Sequence, residues 1–193
     1  MTTENLYLNF DKIDFNPQEP YLIDTNIFVA VYTNVNSTEK SEKIRNYFNL
    51  LSENNLKYGY ISLQNLVEFV TVTKNKIKCF DNAAELNNRL KNISSLFNVL
   101  FYTQNTIMLA VDLSYSTGVH FFDALLAQTM LDNNIHLIYT ENTKDFNKIP
   151  GIKAINPFTD KKITRLCEKA KKQQIKYNLA IKNKPRKSKV VKK

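Results

Sequence analysis

The sequence is poor in several residue types that mark particular protein classes. Its 193 residues include no Trp, three Gly, two Cys and two His. Cys79 and Cys167 lie far apart without a paired spacing, so we expect free thiols in a reducing compartment rather than a disulfide or a zinc site. Because Gly is scarce, tight turns are expected at the pairs Asn54-Asn55 and Asn133-Asn134, since Asn tolerates the left-handed conformation.

Long apolar runs and a leader-like N-terminus are also missing. Apolar segments such as residues 107–111 are far too short to cross a bilayer. Residues 1–5 have neither the basic charge nor the apolar stretch of a secretory signal. We therefore expect a cytoplasmic protein that makes no membrane contact.

Charge is distributed unevenly along the chain. Residues 159–193 contain fourteen Lys and Arg against two Asp and Glu, whereas residues 1–158 contain thirteen against sixteen. A mildly acidic body thus carries a strongly basic tail. Such tails bind nucleic acid by neutralising phosphates, but others are merely solvated, and composition leaves both readings open. We expect this tail to be helical near its start and disordered beyond Lys182.

The body alternates short apolar strands with amphipathic helices. Residues 1–19 read as an irregular extension, and residues 20–158 as one domain. The predicted strands cover residues 21–24, 58–61, 98–102, 135–140 and 152–155. The predicted helices cover residues 26–32, 37–53, 64–74, 81–96, 105–115 and 121–132. This alternation predicts an α/β protein, with a mainly parallel central sheet between two layers of helices.

Four acids fall at the carboxyl edge of the predicted sheet, namely Asp24, Glu68, Asp123 and Asp145. Ligands of an open parallel sheet bind beyond the carboxyl ends of its strands. Carboxylates that converge there repel one another and take up protons unless a cation neutralises them. A site of oxygen ligands without His or Cys suits Mg²⁺ or Mn²⁺.

Each acid alone also has an ordinary structural explanation. Asp24 could cap the next helix, and Asp123 could be a first-turn acid that the helix dipole favours. Glu68 could face solvent, and Asp145 could be a turn residue. The two His are isolated, and surface or core positions suit them better than metal ligation.

Four short segments resemble the motifs of PIN-domain ribonucleases, and in particular of VapC-type toxins from bacterial toxin–antitoxin pairs. Asp24-Thr25-Asn26 is similar to the opening motif, residues 65–69 to the helix that carries the Glu, and residues 122–127 to the acid-Ala-x-x-Ala motif. The closing motif resembles residues 139–152, including its Pro-Gly pair. The resemblance spans residues 20–158.

The resemblance implies an endoribonuclease that uses Mg²⁺ or Mn²⁺. It assigns Asp24, Glu68, Asp123 and Asp145 to the metal and the catalytic site. It also implies that Asn26, Thr140 and Asn142 hydrogen-bond these acids or metal-bound waters. The implied partners are RNA, a cognate antitoxin that inserts a basic side chain into the acidic groove, and a second copy of the chain in a homodimer.

Three features depart from the family pattern, and two other functions compete with it. The family begins near its first strand and has a shorter tail, and in some members the last acid stands where Asn142 lies here. A haloacid-dehalogenase-type phosphatase would need a second Asp at position 26, which is Asn26. A PIN-like module that binds RNA or protein without cleavage remains the alternative.

Overall fold

A computed structural model of the chain describes residues 19–32, 58–168 and 172. The strands in these ranges are β1 (Tyr21–Ile23), β2 (Gly59–Ser62), β3 (Asn98–Leu100), β4 (Leu137–Tyr139) and β5 (Lys153–Ile155). The helices are α1 (Thr25–Tyr32), α2 (Leu63–Thr71), α3 (Ala83–Leu96), α4 (Gln104–Thr117), α5 (Phe121–Asp132), α6 (Thr143–Phe146) and α7 (161–168). A π-helical turn, Val72–Ile77, continues α2 directly.

The five strands form one sheet in the order β3-β2-β1-β4-β5, with every neighbouring pair parallel. Tyr21 in β1 lies opposite Gly59 on one side and Leu137 on the other. Strand order therefore reverses at β1, where an open parallel sheet leaves a crevice between the carboxyl ends of two strands. The predicted α/β architecture with a parallel sheet is confirmed.

Alternation along the central strands buries side chains on both faces of the sheet. Tyr21 and Ile23 pack into one core cluster, and Leu22 between them packs into the other. The helices α1, α2, α3 and α7 cover the first face, while α4, α5 and α6 cover the second. Each fully buried aliphatic side chain contributes about 1.5–3 kcal/mol, so these two clusters anchor the strand ends that carry the acids.

Within the described residues, a helix end, a turn and the tail helix occur close to where the sequence predicts them. Gly118 ends α4 with a φ of 68°, and Asn134 adopts the expected left-handed φ of 55°. The predicted tail helix occurs at residues 161–168, where Ile163, Leu166 and Cys167 join the first core cluster. Four predicted features lie outside the described residues: positions 1–18 of the extension 1–19, the helix 37–53, the turn at Asn54-Asn55 and the disorder beyond Lys182.

Two local predictions about helices were incomplete. The helix expected to end near Lys74 becomes a π-helical turn after Thr71 and ends at Lys78, whose φ is 55°. The hydroxyl of Thr73 donates to the carbonyl of Phe69 (2.6 Å), and this bond accompanies the wider turn. The segment after β4, in which no helix was predicted, contains the short helix α6. In the described part of the chain, no helix has the length and apolar character of a membrane span.

Candidate active site

The crevice beside β1 opens into a cavity of about 660 Å³. We call it the acid cavity, because Asp24, Glu68 and Asp123 lie in its wall. Its other lining residues are Thr25, Asn26, Val29, Gln64, Val67, Thr71, Val72, Lys76, Tyr102, Phe122, Leu125, Glu141 and Asn142. Three of the four expected acids thus share one cavity, although 99 positions of chain separate Asp24 from Asp123.

Asp24 directly follows β1 and is held by neutral donors. The backbone N–H of Thr25 donates to its Oδ1 (2.6 Å), and its Oδ2 accepts from Asn26 Nδ2 (2.7 Å) and from the Thr140 hydroxyl (2.6 Å). Thr140 directly follows β4, the neighbouring strand. The carboxylate is therefore fixed between the ends of two adjacent strands, and it contacts both Asn26 and Thr140, which were expected to hydrogen-bond the acids or metal-bound waters.

Glu68 lies on α2 and is held by two hydrogen bonds. The Thr25 hydroxyl donates to its Oε2 (2.8 Å), and Gln64 Nε2 donates to its Oε1 (2.8 Å). Asn65 Nδ2 in turn donates to the Thr25 hydroxyl oxygen (3.0 Å), while its Oδ1 accepts from the backbone N–H of Ser62 (2.7 Å). The N-terminal cap of α2 thereby aligns Glu68 with the residue that follows Asp24.

Asp123 lies in the first turn of α5 and lines the acid cavity. Its Oδ2 accepts from Asn142 Nδ2 (3.0 Å). Gln64 Nε2 also donates to the backbone carbonyl of Phe122 (2.9 Å), which links α2 to the start of α5. Gln64 therefore contacts both Glu68 and the residue before Asp123, and it sets the separation of these two acids.

Burial and mutual repulsion raise the pKa values of Asp24 and Asp123. Burial raises the pKa of Asp24 to about 6, against the hydrogen bond from Thr140, and the nearby charges of Glu68 and Asp123 raise it further. Burial also raises the pKa of Asp123, and repulsion from Asp145 and Glu68 adds to the effect. No Lys or Arg in the described ranges pairs with Asp24, Glu68 or Asp123. The cavity therefore favours a bound cation at neutral pH.

Asp145 differs from the other three acids. It lies on α6, outside the lining of the acid cavity, and its Oδ1 accepts from Lys148 Nζ (2.6 Å). The hydrogen bonds from Lys148 and then from Asn142 lower its pKa. Its charge still acts on Asp123. Asn142, the alternative position for the last motif residue, lines the cavity and contacts Asp123 directly.

Several residues around the cavity were not predicted as part of the site. Thr25 and Gln64 hold Glu68, and Asn65 holds Thr25. Glu141 also lines the cavity, and its backbone N–H donates to Asn26 Oδ1 (3.3 Å). A signal existed for Gln64, because residues four apart on a helix share a face and Gln64 stands four before Glu68.

The donor set fits a hard divalent cation. Carboxylate oxygens are the ligands that Mg²⁺ and Mn²⁺ prefer, and here they come with neutral amide and hydroxyl donors. Across residues 19–32 and 58–168, no three acidic, His or Cys side chains already converge as a closed set of metal ligands. Asp24 and Glu68 instead accept hydrogen bonds from neutral amide and hydroxyl side chains.

The comparison with family models and curated proteins gives one match. The model of the PIN domain matches residues 21–152. No protein with a curated description matches the chain.

Several solved structures share the fold at low sequence identity. A toxin-antitoxin complex from Klebsiella pneumoniae contains a chain that is 22% identical, with a TM-score of 0.51 over 71% of this chain and 97% of that one. In the structure of VapBC2 from Rickettsia felis bound to a DNA fragment from its promoter, the matching chain is 23% identical, with a TM-score of 0.52 over 70% of this chain and 97% of that one. In DNA-bound VapBC from Salmonella typhimurium, the matching chain is 22% identical, with a TM-score of 0.52 over 71% of this chain and 97% of that one.

Proposed function

The chain belongs to the PIN domain family, and from this premise we propose that it is a metal-dependent endoribonuclease. The observation that carries the proposal is the meeting of Asp24, Glu68 and Asp123 in one cavity beside β1. The raised pKa values of Asp24 and Asp123 support it, because acids that repel one another suit a bound cation. PIN domains are generally nucleases.

In this proposal, Asp24, Glu68 and Asp123 hold one or two Mg²⁺ or Mn²⁺ ions, and Asp145 contributes from the rim. A bound divalent ion would lower the pKa of water and neutralise charge that develops on the phosphate. In this mechanism, neighbouring side chains of the protein orient the three acids. Thr140 and Asn26 fix Asp24, Thr25 and Gln64 fix Glu68, and Asn142 fixes Asp123. Removal of one such contact typically lowers metal affinity or activity by about 10- to 100-fold.

The simplest test compares RNA cleavage with Mn²⁺ and with EDTA. We expect the purified protein to cleave single-stranded RNA internally with Mn²⁺ or Mg²⁺, and to lose this activity completely in EDTA. Added Mn²⁺ in excess of the chelator should restore it. Binding of RNA without cleavage under all these conditions would favour the non-catalytic module, and cleavage that survives EDTA would refute the metal-dependent mechanism.

The biological setting that we propose is that of a toxin in a type II toxin–antitoxin pair. The fold is shared with chains from toxin-antitoxin complexes of Klebsiella pneumoniae and from VapBC of Salmonella typhimurium. We propose a cognate antitoxin on the same basis, and a homodimer from the resemblance to VapC-type toxins. Cys79 and Cys167 form no disulfide, which suits the reducing cytoplasm where such a toxin would act. Coexpression with a candidate antitoxin, followed by co-purification, tests the antitoxin.

The last acid of the site can be identified by comparing two variants. Asn142→Ala removes the amide that donates to Asp123, so we expect a fall in cleavage of about 10- to 100-fold. Asp145→Asn leaves the cavity lining intact, but it removes a charge that acts on Asp123 and weakens the hydrogen bonds from Lys148 and Asn142, so we expect a fall of less than about tenfold. Initial cleavage rates at saturating Mn²⁺ measure both. A larger loss in Asp145→Asn would place Asp145 on the metal itself.

A further inference from the structure

The acid cavity also contains a single basic side chain among its described lining residues, Lys76. Its side chain is exposed, so it lies where the cavity opens to solvent. The acids that share the cavity with Lys76 would repel the phosphates of a polynucleotide, and RNA carries such a charge on every nucleotide. A cation at the rim is where an approaching backbone can be held without displacing the acids from their hydrogen bonds.

Lys76 lies in a segment whose backbone conformation is unusual. It lies in the π-helical turn Val72–Ile77, which ends at Lys78 in the left-handed conformation, φ 55°. For a long non-Gly residue this conformation costs on the order of 1 kcal/mol or more, and π-helical turns occur frequently at functional sites. The turn also contains Lys74. A strained segment rich in Lys thus borders the cavity at the end of the helix that carries Glu68.

A second feature of the cavity wall points to the same ligand. Phe122 lines the cavity immediately before Asp123, yet 51% of its surface is exposed. Its ring lies 5.8 Å from that of His120 and 5.6 Å from that of Phe121, measured between centroids. An aromatic ring that contacts two neighbouring rings and is half open to solvent provides a platform on which an unpaired base can stack.

We propose that Lys76 and Phe122 form a nucleotide-binding subsite at the opening of the acid cavity. Lys76 contacts a phosphate of the RNA backbone, and Phe122 stacks against an unpaired base of the same strand. The subsite rests on the proposed RNA substrate and adds to it the residues that position the strand across the acids. Neither contact reads sequence, so both strengthen binding uniformly across RNA sequences.

The two contacts have different signatures in equilibrium binding. The probe is a short fluorescent single-stranded RNA, titrated with full-length protein in EDTA at several KCl concentrations and followed by anisotropy. A lost phosphate contact reduces the salt dependence, because each contact contributes about −0.7 to the slope of log K against log salt for single strands. Lys76→Gln should therefore make this slope less negative by about 0.7. Lys91→Gln, an exposed lysine on α3 outside the cavity, should leave it unchanged.

Phe122→Ala should instead weaken binding without changing the slope. We expect a loss of about 5- to 150-fold, which corresponds to one base–aromatic stack, and Phe122→Tyr should restore wild-type affinity. Tyr115→Ala, which removes an aromatic ring that is 88% exposed on α4 outside the cavity, is the matched control. In cleavage assays with Mn²⁺, Lys76→Gln and Phe122→Ala should raise KM and leave kcat within about twofold.

The outcomes separate the subsite from the enzymatic function. Equal slopes for Lys76→Gln and Lys91→Gln, or wild-type affinity in Phe122→Ala, overturn the subsite even if the protein cleaves RNA. The expected binding signatures in a protein that never cleaves RNA leave the subsite standing and refute the enzyme. A wild-type protein that neither binds nor cleaves RNA overturns both.

Discussion

Replacing Asp24 by Asn should abolish metal-dependent cleavage of RNA. The variant keeps the size of the side chain but removes the charge from the most buried of the three cavity acids. We expect the rate to fall at least about 1000-fold, which corresponds to a loss of roughly 4 kcal/mol of transition-state stabilisation. Asp123→Asn should behave in the same way, because Asp123 lines the same cavity and its charge acts on Asp24.

Single-turnover cleavage with excess protein and Mn²⁺ measures this loss without interference from product release. Asp112→Asn is a matched control, because Asp112 is an exposed acid on α4 that does not line the cavity. Circular dichroism and thermal unfolding establish whether each variant is folded. Wild-type-like, metal-dependent rates in folded Asp24→Asn would show that Asp24 is no metal ligand, and the proposed mechanism would fail with it.

The stability of the metal-free protein should depend on pH through the same carboxyl group. The pKa of Asp24 is about 6 in the folded protein, against an ordinary value of 3.8. As pH rises from about 4 to 6, the unfolded chain loses this proton more readily than the folded chain, so the free energy of unfolding falls. The contribution of Asp24 to this fall is roughly 2–3 kcal/mol, and it is complete above about pH 6.

Urea unfolding in EDTA between pH 4 and pH 7 tests this dependence. The decline should be smaller in Asp24→Asn than in wild type by roughly 2–3 kcal/mol, while Asp112→Asn should follow wild type. Mn²⁺ at pH 7 should raise the wild-type melting temperature, because a ligand that binds only the folded state stabilises it. Parallel pH profiles for wild type and Asp24→Asn would show that Asp24 ionises normally in the folded chain.

The sequence was sufficient to predict the fold and the edge of the sheet at which the acids meet. Parallel strands all end at one edge, so acids placed after β1 and after β2 are near neighbours whatever the details of packing. Asp24 and Glu68 follow this rule, and Asp123 follows from its place in the first turn of α5. These inferences need only the order of the elements.

The sequence was not sufficient for the contacts that orient the acids. The bond from Thr25 to Glu68 joins positions 43 apart, and the bond from Gln64 to the Phe122 carbonyl joins positions 58 apart. Such pairs depend on how helices settle on the sheet, which local patterns do not reveal. The π-helical turn that places Lys76 is a similar case, because a helical pattern alone does not indicate where the backbone widens.

The central place of β1 has a consequence for synthesis on the ribosome. Among the strands that the structure describes, β1 is synthesised first. Its partner β4 follows more than a hundred residues later, and the Thr140 hydroxyl that donates to Asp24 lies 116 positions away. Contacts so distant in the chain form only after the intervening polypeptide has emerged. A truncated translation product that ends before residue 137 would carry Asp24, Glu68 and Asp123 without the strand β4 and without Thr140, and we expect it not to form the acid cavity.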